Sequence, residues 1–228
     1  MNTTELLRYF EMVIDESDNT FVNETDKYLF LKLGHNEFRT IAYEETPLDM
    51  VSSVSYTLSS DKTIDLTTAV PTDGGSPILG KPPNTISDRT MLKIHSVAMM
   101  SAGDVSYYYD LVVDNREITD YPYPILSTPI AWLRASTLRF ATAQTGTVRV
   151  NYLKESDVDF NVATNPTGFV DNFPQFHPLI AMFAAKHYSV IDNGVNEQLE
   201  AKTAQFTQEM RSFLQSTRVP RGASWVQE

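Results

Sequence analysis

The sequence predicts an α+β fold: an antiparallel helical bundle from N- and C-terminal helices with an inserted, mainly antiparallel β region and an extended C-terminal tail. Three observations predict it. Apolar residues recur at helical spacing near both ends of the chain, and two such runs near the C-terminus adjoin one another. Between the ends the pattern changes to β-branched residues and strict alternation. The last twelve residues, 217–228, carry Pro220 and Gly222 and continue neither pattern. The expected division is therefore an N-terminal helix pair over residues 1–50, a β-rich insertion over 51–160, a second helix pair of the same bundle over 161–216, and a tail over 217–228.

The adjoining helices lie within residues 174–214. In the first, Leu179, Ile180, Phe183, Ala184, His187, Val190 and Ile191 recur at steps of three and four, which predicts one buried stripe. Pro178 suits a first helical position, where a missing N–H costs nothing. Asn193-Gly194 stops the helix, since both residues tolerate the left-handed conformation that ends helices. The second helix repeats Leu199, Phe206 and Phe213 every seventh residue, with Met210 and Leu214 beside them. So short a joint folds the two helices back antiparallel. The pair still carries more apolar surface than it can bury alone, and the N-terminal helices are the elements expected to cover it.

Near the start, Asn2 and Glu5 have the spacing of a capping box, and Leu6, Leu7, Phe10, Val13 and Ile14 follow at helical steps. The polar residues 15–23 interrupt that helix. Asn23 then caps a second, holding Tyr28, Phe30, Leu31, Phe38, Ile41 and Ala42, and Pro47 closes it. Gly34 inside this helix costs about 1 kcal/mol relative to Ala, which predicts a close helix crossing.

From Val51 onward strands are expected around Ile64 and Leu66, Leu92 to Val97, and Leu138 to Phe140. The clearest strand alternates Val148, Val150 and Tyr152 with Arg149 and Asn151, after an expected turn at Thr145-Gly146. Residues 70–89, rich in Pro and Gly, read as a long surface loop. Residues 107–123 are expected to include a short helix before Pro122, Pro124 and Pro129 force an extended path.

Composition narrows the classes of function. A chain of 228 residues can bury roughly 70% of its unfolded surface. No apolar run approaches the roughly 20 residues that span a bilayer, and MNTTELLRYF lacks the basic start and apolar core of a secretion signal, so no membrane partner and a cytoplasmic site of synthesis are expected. The absence of cysteine removes disulfides, thiol nucleophiles and zinc sites built on Cys. The net charge of −11 argues against nonspecific adhesion to nucleic acid.

Motifs that could carry chemistry each fail on a named residue. GSPILGKP, residues 75–82, approaches a phosphate-binding loop, but Pro82 stands where the magnesium-holding hydroxyl belongs and Pro77 removes an amide donor. Residues 15–26 have the length of a calcium loop, with Asp15, Asp18 and Asp26, yet Thr20 occupies the glycine position and no Glu closes it. His35, His95, His177 and His187 form no metal-binding pair in the sequence. His187 reads as a hydrogen-bonded core residue and His177 as a helix-start residue. No nucleophile elbow is present. Catalytic, cofactor and metal residues are therefore expected to be none.

The order of elements and three local strings resemble tailed-bacteriophage head-to-tail adaptor (connector) proteins. The strings are LFLKLGHNEFRTIAY, TPIAWLRASTLRFATAQTGTVRVNY and FHPLIAMFAAKHYSVIDNGVNEQLEAKTAQFTQEM. The resemblance implies a structural virion protein at the portal vertex, a homo-oligomeric ring of about twelve copies, closed by cyclic symmetry. Its implied partners are the portal protein above and a tail or nozzle protein below, with double-stranded DNA passing through the centre without sequence-specific binding. Residues 70–89 and 107–123 have no counterpart in it. The bundle helices are expected to supply ring contacts, with the β insertion toward the tail and the C-terminal tail toward the portal. For that docking the residue types best suited are Arg218, Arg221, Trp225 and Val226, a basic stem with an aromatic anchor. The alternatives are another tail-tube or nozzle component, or a small acidic enzyme or ligand-binding module.

Overall fold

The structure, a computed structural model, describes residues 1–15, 22–46, 51–75, 77–78, 91–113, 129–191 and 197–217. The chain divides into two compact units: Met1–Met50 with Val158–Glu228, and Val51–Asp157.

The first unit is helical and is assembled from both chain ends. Helix α1 (Thr3–Val13) opens with the capping box: Glu5 N–H donates to Asn2 Oδ1 and Asn2 N–H donates to Glu5 Oε2, each at 2.9 Å. Helix α2 (Glu24–Glu45) is capped by Asn23, whose Oδ1 accepts from Asp26 N–H. A 3₁₀ turn (Pro174–Phe176) leads into α3 (His177–Ile191), and α4 (Glu197–Thr217) follows. The expected helices are therefore present.

Helix α3 is the centre of this unit. Leu179, Ile180, Ala181, Met182, Phe183, Ala184 and Ala185 are all buried, so its first half is covered on every side and not along one stripe. Its far end departs from the expected stripe: Val190 is 74% exposed. Gly34 of α2 makes the close crossing that its position suggests. A Cβ there would run into the Ile180 carbonyl oxygen and lie 2.7 Å from Ala184 N. One turn earlier, Phe30 meets Tyr188 edge-to-face. Helix α4 packs through Thr203, Met210 and Leu214, whereas Phe213 of the expected heptad row is 41% exposed. Phe213 still meets Phe176 edge-to-face, which sets the end of α4 beside the start of α3 and makes the pair antiparallel. Arg211 pairs with Glu44 and Glu45 at the end of α2.

The second unit holds strands β1 (Val51–Asp65), β2 (Met91–Ser101), β3 (Asp104–Val113), β4 (Ile130–Arg134) and β5 (Thr137–Lys154). Every pairing is antiparallel except β3 with β4. β1 runs along one edge of β5 for nearly its whole length, so β2 and β4 must share the other edge. Because β3 joins β2 to β4, strands β5, β2, β3 and β4 close on themselves and β1 lies outside the closure. One apolar core joins Val97, Tyr109, Leu138, Phe140, Val148, Val150 and Tyr152 with Val54, Tyr56 and Leu58 from β1. A two-residue turn at Ala102-Gly103, both at positive φ, joins β2 to β3 in the manner of tight hairpins.

These observations overturn the fold class drawn from the sequence, a helical bundle carrying an inserted β region. Among the described residues, four helices and a five-stranded sheet fall in two compact units. The physical reason is the pairing of β1 with β5: Val54, Tyr56 and Leu58 of one and Val148, Val150 and Tyr152 of the other belong to a single apolar core within their own unit. One local expectation also fails. Thr145-Gly146 is no turn, because both residues lie within β5 and pair with Ser59 and Leu58, with Gly146 at φ 123°. Of the stretch 107–123, expected to include a short helix, residues 107–113 are strand and 114–123 lie outside the described residues.

Candidate functional site

One aspartate draws together two buried histidines of the helical unit. Asp171 lies in the irregular segment before the 3₁₀ turn, and its Oδ1 accepts from Phe173 N–H at 2.7 Å and from His177 Nε2 at 2.9 Å. Its Oδ2 lies 3.3 Å from His35 Nε2. His177 is the first residue of α3 and His35 lies mid-way along α2, so the carboxylate ties two helices to the segment that precedes one of them. The His35 ring stacks on Phe38 and meets Phe160 edge-to-face, which fixes its plane. His177 Nδ1 lies 3.0 Å from both the backbone nitrogen and the carbonyl oxygen of Met1.

Burial and hydrogen bonding set the charges. Burial pushes the Asp171 carboxyl up, but hydrogen bonds from His177, His35 and Phe173 N–H outweigh it and hold the group well below the usual carboxylate range. Burial pushes His35 down, against the opposing pull of Asp171, so this imidazole is held neutral. With both nitrogens of His177 engaged, the His177–Asp171 dyad has no nitrogen left to activate a substrate hydroxyl.

The same segment grips α1. Thr3 Oγ1 donates to the Asn165 carbonyl and accepts from Gly168 N–H, while Thr4 Oγ1 donates to the Pro166 carbonyl. Residues 159–165 are shaped by their own side chains: Asp159 accepts from Asn161 N–H and Thr164 Oγ1, and Asn165 Nδ2 donates back to the Asp159 carbonyl. Between α1 and α2, the fully buried Lys27 donates to Glu11 at 3.0 Å.

A groove of about 510 Å³ opens between α2, α3 and α4, with Ile41, Phe183 and Ala204 as its apolar lining and Glu37, Lys186 and Glu200 as charged members. His187, expected in the core, is 38% exposed and pairs with Glu37 at 3.3 Å. In the second unit Tyr109 Oη donates to Gln144 Oε1 at 2.9 Å beside Tyr107, and burial pushes the Tyr109 phenol well up.

The sequence-predicted docking residues Arg218, Arg221, Trp225 and Val226 lie outside the described residues, as do most of the phosphate-loop-like string and residues 16–21 of the calcium-loop-like stretch. Among the described residues no group of three or more His, Asp or Glu is placed to hold a metal ion, and no helix is long and apolar enough to cross a membrane. The Asp171 cluster was missed in the sequence. The signal for one of its three residues was present: His35 falls in step with Leu31, Phe38 and Ala42 on the buried face of α2. Set against models of known protein families the chain matches none, and no curated protein aligns with it.

Proposed function

We propose that this chain is a structural virion protein, a head-to-tail adaptor that forms a ring of about twelve copies, a closed cyclic assembly, beneath the portal. In this reading it joins the capsid to a tail or nozzle protein, forms part of the conduit for double-stranded DNA, acts through assembly and not catalysis, and is made in the host cytoplasm. The observation that carries the reading is where the three resembling strings fall. LFLKLGHNEFRTIAY lies within α2, TPIAWLRASTLRFATAQTGTVRVNY spans β4 and β5, and the closing string spans α3 and α4, so the resemblance draws on the central elements of both units. The net charge of −11 supports it as well, since a conduit must not adhere to the phosphate backbone it passes.

The test is the native mass of the complex formed when the purified chain meets the portal ring encoded near it. About one copy added per portal subunit, the stoichiometry of a symmetric docked ring, supports the adaptor. No added mass removes the portal from the reading and turns attention to a tail-tube or nozzle component. One observation favours a different class: the groove between α2, α3 and α4 is large enough for a small ligand, and a ligand-binding module would be a stable monomer with measurable small-molecule affinity.

A further inference from the structure

We propose that the Asp171-bridged histidine pair is a proton-operated clasp: with His35 neutral it ties residues 158–176 and the start of α1 to α2 and α3, and uptake of a proton at His35 releases them. The proposal does not depend on the adaptor reading. It rests on an asymmetry between the two rings. His177 has partners at both ring nitrogens: Nε2 lies 2.9 Å from Asp171 Oδ1, and Nδ1 lies 3.0 Å from both the nitrogen and the carbonyl oxygen of Met1.

His35 is placed differently. Its side chain is wholly buried between the Phe38 and Phe160 rings. The charged and titratable groups that face it are Asp171 from the preceding segment, Arg39 from its own helix and His177 from α3. A second cation in that space meets a guanidinium and an imidazole against a single carboxylate, away from water, which disfavours the charged ring. Opening the segment relieves this by moving the ring into solvent, where an imidazole takes up a proton near pH 6.5, roughly its ordinary midpoint. The open form therefore binds one more proton than the closed form, and acid favours it. Opening frees three amides: Phe173 N–H leaves Asp171, and the bonds from Thr4 N–H to the Pro166 carbonyl and from Gly168 N–H to Thr3 Oγ1 go with it.

Hydrogen exchange of the full chain, corrected for the intrinsic pH dependence of amide exchange, reads those three amides directly. Protection at Thr4, Gly168 and Phe173 should fall about tenfold per pH unit below about pH 6, the slope of a one-proton linkage, while the amides of Val148 and Val150 in β5 hold. The variant H35Q, whose amide can still donate to Asp171 but cannot titrate, should abolish the slope; H177Q and the exposed-histidine variant H187Q should keep it. Protection at the three amides that is constant between about pH 7.5 and pH 5 in the unmodified chain overturns the clasp, whether or not any variant folds. So does a slope that survives in H35Q, or one lost in H177Q alone.

Discussion

His35 Nε2 and Asp171 Oδ2 lie 3.3 Å apart in the interior of the helical unit, one on α2 and the other in the chain that returns to begin α3. This pairing adds direction to apolar packing. Phe30, Leu31 and Phe38 are buried apolar residues of α2, whereas the Asp171 carboxylate lies between His35 and His177 and reaches both at once. Replacing Asp171 by Asn keeps the shape and removes the charge. The amide oxygen can accept from one ring while its NH₂ faces the other, and we expect a loss of about 2–3 kcal/mol, the scale of a buried charged hydrogen bond left incomplete. Chemical denaturation of D171N against the unmodified chain measures it.

The neutral state of His35 makes stability depend on pH in a definite direction. Its folded-state midpoint is lowered, so the unfolded chain takes up the proton first. Stability from this group is complete above the unfolded midpoint of about 6.5 and declines as pH falls from there toward the folded value. Asp171 acts in the same direction at lower pH: the hydrogen bonds it accepts lower its midpoint, so its contribution is complete above about pH 3.9 and is lost only in stronger acid. Thermal melts between pH 8 and 5 should therefore show a decline that H35Q flattens; a melting temperature constant across that range would contradict it.

Gly34 gives the sharpest steric prediction. An added methyl meets the Ile180 carbonyl and the Ala184 backbone, neither of which is a side chain that can turn away. The gain in helix propensity of about 1 kcal/mol for Ala over Gly cannot offset a helix pair forced apart. G34A should destabilise by about 1–3 kcal/mol net, read as a lower denaturant midpoint. A midpoint equal to or above that of the unmodified chain would show that α2 and α3 can separate freely.

Lys27 and Glu11 test whether a buried ion pair stabilises or only specifies. The ammonium stem is inaccessible while the carboxylate keeps 21% of its surface in water. E11A should cost about 2 kcal/mol, less than the 3–5 of a fully buried pair, because water already reaches one partner. In the double variant K27M/E11A the cost should largely vanish, since methionine fills the space without a charge to solvate. A double-mutant cycle in denaturant separates the two outcomes: additive losses would mean that Lys27 and Glu11 are not coupled.

Much of the helical unit was legible because its rules are local. The caps at Asn2 and Asn23 and the crossing at Gly34 each follow from a few adjacent residues. The burial of α3 on all sides was not, because a stripe of Leu179, Ile180, Phe183 and Ala184 looks the same whether one neighbour covers it or three. The closure of the sheet depends on β4 and β2 sharing one edge of β5, a relation between segments far apart in sequence that no periodicity records. Gly146 was misread for a related reason: Thr-Gly suits a hairpin, and only the pairing of β1 across it makes the strand continue. Of the Asp171 cluster, His35 was visible as a polar residue on an apolar face, while Asp171 gives no local sign and His177 looked like an ordinary helix start.

The proposed portal contact separates from stability in a single truncation. The described part of α4 is held to its unit by Met210, Leu214 and the Arg211 pairs with Glu44 and Glu45, all of them before residue 217. Ending the chain after Ser216 removes Arg218, Arg221, Trp225 and Val226 and none of those contacts. The melting temperature should therefore stay within the few degrees that a change of ~0.5 kcal/mol produces, while mass added to the portal ring is lost. A truncated chain that still adds about one copy per portal subunit, as a symmetric docked ring requires, would move the docking surface off these four residues and onto the helical or β unit.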